Sequence, residues 1–251
     1  MMFLNKSHQN LLLLSLAFLL TCCSPQLYKT ATGEHIAVNE QVKPSPEIDT
    51  FIQPYKTRLA EEMNTVIGET SGAILKIGQG ETALGNLVAD YQKAFAEMNL
   101  GFSIDISIMN NGGIRNNLPK GQITLGNIYE LSPFDNYLYV LELNSDNVKD
   151  LAAFAARRKI LGIAGMNIVA KNGEVTEIKI NGEPPLPGKT YLLAVNDYLA
   201  NGGDGMEMLT LLPRKIETDF LLREILITQI KSTTEKGQKI TANIEGRQKL
   251  D

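Results

Sequence analysis

Two Gly-rich polar segments carry the residues of this chain best suited to chemistry. The first is Asn110-Asn111-Gly112-Gly113-Ile114-Arg115. It follows an apolar run, Ile104 to Met109, that reads as a buried strand. Paired glycines free the backbone to turn sharply and expose its N–H groups, and Arg115 adds a planar fork suited to phosphate or carboxylate. The second segment is Asn196-Asp197-Tyr198-Leu199-Ala200-Asn201-Gly202-Gly203-Asp204-Gly205. It repeats the design, and a carboxylate held at Asp204 can accept two hydrogen bonds from a vicinal diol such as ribose. Each loop alone also fits a plain turn, with Arg115 paired to an acid and Asp204 capping backbone.

Other chemistries are excluded by residue supply. The two histidines are His8, in an apolar leader, and His35, alone in a polar stretch. No cysteine follows Cys23, which rules out a disulfide framework, a thiolate metal site and a catalytic cysteine in the folded region. There is no Gly-x-Ser-x-Gly elbow, no P-loop and no Rossmann fingerprint. The acids show no cluster with ligand spacing, and Asp105, sited mid-strand, reads as structural. The net charge of −4 lacks any basic run, so duplex nucleic acid is a poor partner, whereas a small anion needs only one or two local cations.

The elements that must position the two loops follow from periodicity. An apolar stripe at helical spacing runs from Ile48 through Phe51, Ile52, Tyr55, Leu59, Met63 and Val66, with Pro54 starting or kinking the helix. Thr82 is the expected cap of a second helix whose inner face is Leu84, Leu87, Val88, Tyr91 and Phe95. A short helix capped by Thr124 runs to Leu131, a strand spans residues 137–143, and Ser145 is the expected cap of a helix through Arg157. After Gly165 the period becomes two. Asn172-Gly173 suits a tight hairpin, and Asn181-Gly182 marks another turn. A strand over 189–195 leads into the second loop, and a last amphipathic helix is expected over 219–230. The pattern is that of an α+β or mixed α/β domain.

The N-terminus reads as an export leader. Lys6 precedes the apolar run Leu11 to Leu20, which is too short for a membrane span. Leu20-Thr21-Cys22-Cys23-Ser24 resembles a bacterial lipobox, with Cys23 fitting as the lipid acceptor better than Cys22. The expected organisation is a signal peptide over 1–22, a polar tether over 23–45, and one domain over 46–251. The mature protein is then expected in the bacterial cell envelope, lipid-anchored at the outer membrane or facing the periplasm.

Taken in order, the motifs become specific. Gly80-Glu81-Thr82-Ala83-Leu84-Gly85-Asn86-Leu87, the Asn110–Arg115 loop, Gly121-Gln122-Ile123-Thr124, Ser132-Pro133-Phe134-Asp135-Asn136 and the Asn196–Gly205 loop closely resemble the C-terminal domain of 5′-nucleotidases and related periplasmic UDP-sugar hydrolases. The resemblance covers roughly residues 46–250. It implies a layered sheet with flanking helices that binds nucleoside and presents the phosphate to a separate dinuclear metal site. Carried over, Asn110 contacts base or ribose, Arg115 binds phosphate within the Gly112-Gly113 loop, and Phe134 with Asn136 beside it forms one base platform. Tyr198, where the family usually has Phe, opposes it, and Asp204 after Gly203 grips the ribose hydroxyls. The plainer role for Phe134 and Tyr198 is core packing. An arginine that the family often carries a few positions before Glu81 is absent, Ile77-Gly78-Gln79-Gly80 standing there instead, and Lys76 is the nearest cation.

The expected function is therefore the nucleoside- or nucleotide-binding subunit of a split 5′-nucleotidase. It holds no metal cofactor, and divalent metals belong to a separate metallophosphoesterase chain. The alternative is a non-catalytic nucleoside-binding lipoprotein, and a third reading is a remnant used for envelope contacts.

Overall fold

In the computed structural model, residues 33, 35–39 and 41–251 are described, so the expectations for the leader and for Cys22 and Cys23 lie outside the described residues. Thr50–Asp251 form one compact unit. No helix among the described residues is long and apolar enough to cross a membrane.

The first helix, α1 (Pro46–Met63), runs continuously through Pro54, which neither starts nor ends it. None of its residues is buried. Ile48, Phe51, Tyr55 and Leu59 of the apolar stripe are exposed, and the rings of Phe51 and Tyr55 meet at a tilt with their centres 5.9 Å apart. Helical spacing creates an apolar stripe but does not supply a surface to cover it. Val66, the last residue of the expected stripe, belongs to strand β1 (Val66–Thr70), which pairs antiparallel with β3 (Gly121–Thr124).

The second helix, α2 (Ala83–Leu100), starts where expected. Thr82 accepts from the Gly85 N–H at 2.9 Å, and Gly101 closes the helix in the left-handed conformation. It lies on a five-stranded sheet of order β5-β2-β8-β4-β9, made of β2 (Ile106–Asn110), β4 (Tyr137–Leu143), β5 (Leu161–Ala164), β8 (Tyr191–Asn196) and β9 (Arg214–Leu221). Only β2 and β8 are parallel; every other pair in this sheet is antiparallel. Side chains alternate across the sheet as the pleat requires. Leu141, Leu143, Leu193 and Val195 face a core shared with the helix α4 (Ser145–Arg158), while Leu138, Val140 and Ala194 pack with Phe95 of α2 on the other side.

Beyond α4 lies a three-stranded sheet of β6 (Met166–Lys171), β7 (Glu174–Ile180) and β10 (Gln248–Leu250). The expected hairpin joins β6 and β7: Asn172 and Gly173 both have positive φ, at 53° and 78°, the backbone of a primed turn. The short helix α3 (Leu125–Leu131) begins with a capping box between Thr124 and Asn127. These findings establish the mixed α/β, layered architecture.

Three local expectations need correction. The cap of α4 is Asn144, not Ser145, because its side chain accepts from the N–H groups of both Asp146 and Asn147 at 2.9 Å. Asp219 lies in β9, and the last helix, α6, is Leu222–Glu235. Pairing with β4, from Tyr139↔Glu217 to Tyr137↔Leu221, holds this stretch extended where its own periodicity favoured a helix. Strand β8 begins at Tyr191 rather than Lys189. Asp105, just before β2, extends the β2/β8 pairing with its side chain: Oδ2 accepts from the Leu192 N–H at 2.8 Å, the structural role expected of it.

Helix α2 meets the sheet at glycines. A Cβ added at Gly162 in β5 would lie 2.6 Å from Gly85 Cα of α2, with rigid backbone on both sides. Gly162→Ala is therefore expected to destabilise the domain by about 2–3 kcal/mol, read as a lowered midpoint in urea denaturation with unchanged slope.

Candidate functional site

Because β2 and β8 run parallel, Asn110 and Asn196 end their strands at the same sheet edge, where ligands of α/β sheets commonly bind. Antiparallel β4 begins at that edge, with Leu138 opposite Asn196. Three chain segments thus converge: 110–115 after β2, 132–136 before β4, and 196–205 after β8.

Short polar side chains join these segments. Asn196 caps the single turn α5 (Asp197–Ala200) through the Leu199 N–H at 2.8 Å, and its Nδ2 donates to Asn110 Oδ1 at 3.2 Å. Asp197 Oδ1 accepts from Asn136 Nδ2 at 3.0 Å and from the N–H groups of Tyr137 and Tyr198 at 3.1 and 2.8 Å. Asn111 turns away and donates to the Gly80 carbonyl at 3.0 Å, bracing the first loop against the start of α2.

The convergence encloses a cleft of about 340 Å³. Its lining includes Asn110, Gly112, Gly113, Arg115, Phe134, Asn136, Tyr198 and Asp204. Gly203 stands against Tyr198: a Cβ there would fall 2.5 Å from ring carbons, so only glycine lets the ring lie against this turn. The residues singled out from sequence are therefore neighbours in space. Phe134 and Tyr198 are 47% and 45% exposed, which leaves ring surface available and sets aside a core-packing role for either. The Arg115 guanidinium donates to the Gly112 carbonyl at 3.1 Å and lies 5.8 Å from the Phe134 ring centre.

The reason for the first glycine pair differs from expectation. Neither Gly112 nor Gly113 has positive φ. Gly113 is needed for space, since a Cβ would approach Asn110 Oδ1 to 2.8 Å and Met109 Cε to 2.6 Å. The unusual backbone lies in the second loop, where Asp204 has φ 54° and ψ 20°. Such a conformation is uncommon outside glycine, Asn and Asp and concentrates at functional sites. Asp204 accepts from Asn110 Nδ2 at 2.7 Å and from the Tyr198 hydroxyl at 2.8 Å. Lys76 braces the first loop through the Ile114 carbonyl and is not among the residues lining the cleft.

Sequence reasoning left two contributors unassigned. Asn196 and Asp197 join the loops without lining the cleft; both stand in the second motif, but nothing local distinguishes a joining Asn or Asp from a capping one. Among the described residues, no group of three or more His, Cys, Asp or Glu side chains is placed to hold a metal ion.

A layered α/β domain with a polar, aromatic-edged cleft at the ends of two parallel strands has an architecture in which small ligands commonly bind. Residues 65–211 match the family described as 5′-nucleotidase, C-terminal domain, and the chain belongs to that family. Protein UshA of Escherichia coli strain K12 is 27% identical over 216 residues, which cover 82% of this chain and 38% of that protein. The trifunctional nucleotide phosphoesterase protein YfkN of Bacillus subtilis strain 168 is 30% identical over 232 residues, 84% of this chain and 16% of that protein. The crystal structure of a 5′-nucleotidase precursor from Thermus thermophilus superposes with a TM-score of 0.67 at 28% identity, covering 80% of this chain and 42% of that one. The chain thus spans less than half the length of these relatives.

Gly203→Ala is expected to drive the Tyr198 ring out of its place at a cost of about 1–3 kcal/mol. A crystal structure of the variant, paired with urea denaturation, checks both parts.

Proposed function

We propose that this chain is the nucleoside- or nucleotide-binding part of a 5′-nucleotidase-type phosphohydrolase. The observation that carries this reading is the convergence of three separate segments on one cleft whose side chains suit the parts of a nucleotide. Phe134 and Tyr198 offer ring faces for a base, with stacking worth roughly 1–3 kcal/mol and tolerant of base identity. Asn136 and Asn110 offer amides to base or ribose, Asp204 accepts from ribose hydroxyls, and Arg115 offers its fork to the phosphate, beside the Gly112-Gly113 backbone. The cleft volume falls in the range usual for ligand pockets, about 300–1,000 Å³.

In the 5′-nucleotidase-type reading, metals activate water and stabilise the leaving oxygen. The residues described here bring together no cluster that would hold them. The proposal assigns the metals to a metallophosphoesterase partner, a separately encoded chain in this reading, with this chain supplying substrate recognition in nucleotide catabolism. The lipobox-like Cys23 supports lipid anchorage in the bacterial envelope, and two chains on one membrane gain effective concentration, so a modest interface suffices.

Calorimetric titration with adenosine and AMP tests the binding reading. Both ligands are expected to bind, with Phe134→Ala weakening each by about tenfold or more. Arg115→Ala is expected to weaken AMP by about tenfold while leaving adenosine within about twofold. Absence of binding by either ligand overturns the reading. Mixing this chain with a lipobox-bearing metallophosphoesterase encoded beside it is expected to accelerate AMP cleavage over the metal-bearing chain alone. An unchanged rate leaves a non-catalytic nucleoside-binding lipoprotein.

A further inference from the structure

The stacking role proposed for Tyr198 uses its ring and leaves its hydroxyl unexplained. That hydroxyl is fully engaged. It donates to Asp204 Oδ1 at 2.8 Å and accepts from the Asp204 N–H at 3.2 Å. The other carboxylate oxygen, Oδ2, accepts from Asn110 Nδ2 at 2.7 Å. A carboxylate offers about four acceptor positions, two on each oxygen. Here the protein fills one on each, which leaves one on each free.

That remainder has a definite chemical meaning. One open acceptor on each oxygen of a single planar carboxylate can take the two O–H donors of a vicinal diol. A ligand with a single hydroxyl leaves one acceptor unmatched in a partly desolvated cleft, and sites built around such bonds reject ligands that lack the donor. The match depends on the carboxylate being held still before the ligand arrives, because ordering it on binding subtracts from affinity. Tyr198 grips Asp204 at both its main-chain N–H and its side chain, in a backbone conformation of positive φ. The ring cannot drift toward the loop, since Gly203 backs it closely.

We propose that Tyr198 is a positioning residue whose hydroxyl, together with Asn110, fixes Asp204 so that one acceptor on each carboxylate oxygen is open, making the cleft selective for ligands bearing a cis-diol over their 2′- or 3′-deoxy forms. This rests on the nucleoside-binding reading above and adds its sugar selectivity. Removing only the hydroxyl keeps a ring for stacking but frees the carboxylate to turn, so its cost falls on ligands that use both oxygens.

The test is titration of the protein and its Tyr198→Phe variant with adenosine, 2′-deoxyadenosine and 3′-deoxyadenosine, with thermal unfolding followed alongside. The unaltered protein is expected to bind adenosine about tenfold or more tighter than either deoxy ligand. In Tyr198→Phe, adenosine is expected to weaken by about tenfold while the deoxy ligands change by less than about twofold, so the preference collapses. Equal weakening of all three overturns the proposal, because a role confined to ring placement moves them together. No change in any of them shows the hydroxyl to be idle and overturns it as well. Should Tyr198→Phe fail to fold, Asp204→Asn, which replaces one acceptor oxygen by a donor, is expected to erase the same preference; a preference that survives it overturns the proposal. Binding of all three ligands without discrimination by the unaltered protein sinks this inference alone, whereas no binding of any ligand removes the nucleoside reading itself.

Discussion

The parallel pairing of β2 with β8 is the constraint on which the cleft depends. Parallel neighbours send both chains out of the sheet at one edge, so the segments that follow Asn110 and Asn196 emerge side by side although they are far apart in sequence. Antiparallel β4, lying next to β8, returns the chain to that edge and delivers Phe134 and Asn136 from a third direction. Helix α2 holds the arrangement from one face by packing glycine to glycine on β5, and the apolar core shared with α4 holds it from the other. The core thereby fixes the positions of strand ends, and the strand ends fix the cleft.

Within that frame, order in the loops comes from short amide and carboxylate side chains rather than from apolar packing. Asn196, Asn110 and Asp204 form one chain of contacts, and Asp197 joins the loop before β4 to the turn after β8. Such bonds are individually modest, but together they hold polar atoms in a defined array before any ligand enters. Glycine serves here both as missing volume and as a source of positive φ. Gly113 and Gly203 each allow a neighbouring side chain to occupy space that a Cβ would fill, while Gly202, Asp204 and Gly205 take positive φ.

Several elements were legible from sequence because their causes are local. The caps at Thr82 and Thr124, the Asn172-Gly173 hairpin and the strand-favouring residues of β4 each need only residues within a few positions of one another. The cap of α4 was missed by one residue, whereas whole elements were missed for distant causes. Residues 219–221 are drawn into β9 by the β4 ladder, and β5 and β10 are too short to announce themselves without their partners. The apolar face of α1 shows the converse case, a correct period with no covering surface.

By itself the sequence determined the class of domain, the ordered motifs of its family, and the identity of the polar and aromatic residues that end up around one cleft, because those depend on residue type and on spacing along the chain. It determined also the supply of chemistry, since cysteine and histidine are either absent from a region or present in it. Only the tertiary structure decided that Asn196 and Asp197 join the loops, that Gly113 is demanded by space, and that the Tyr198 hydroxyl grips Asp204. These are relations of distance and direction between side chains on different loops, and nothing in a one-dimensional pattern encodes an angle between them.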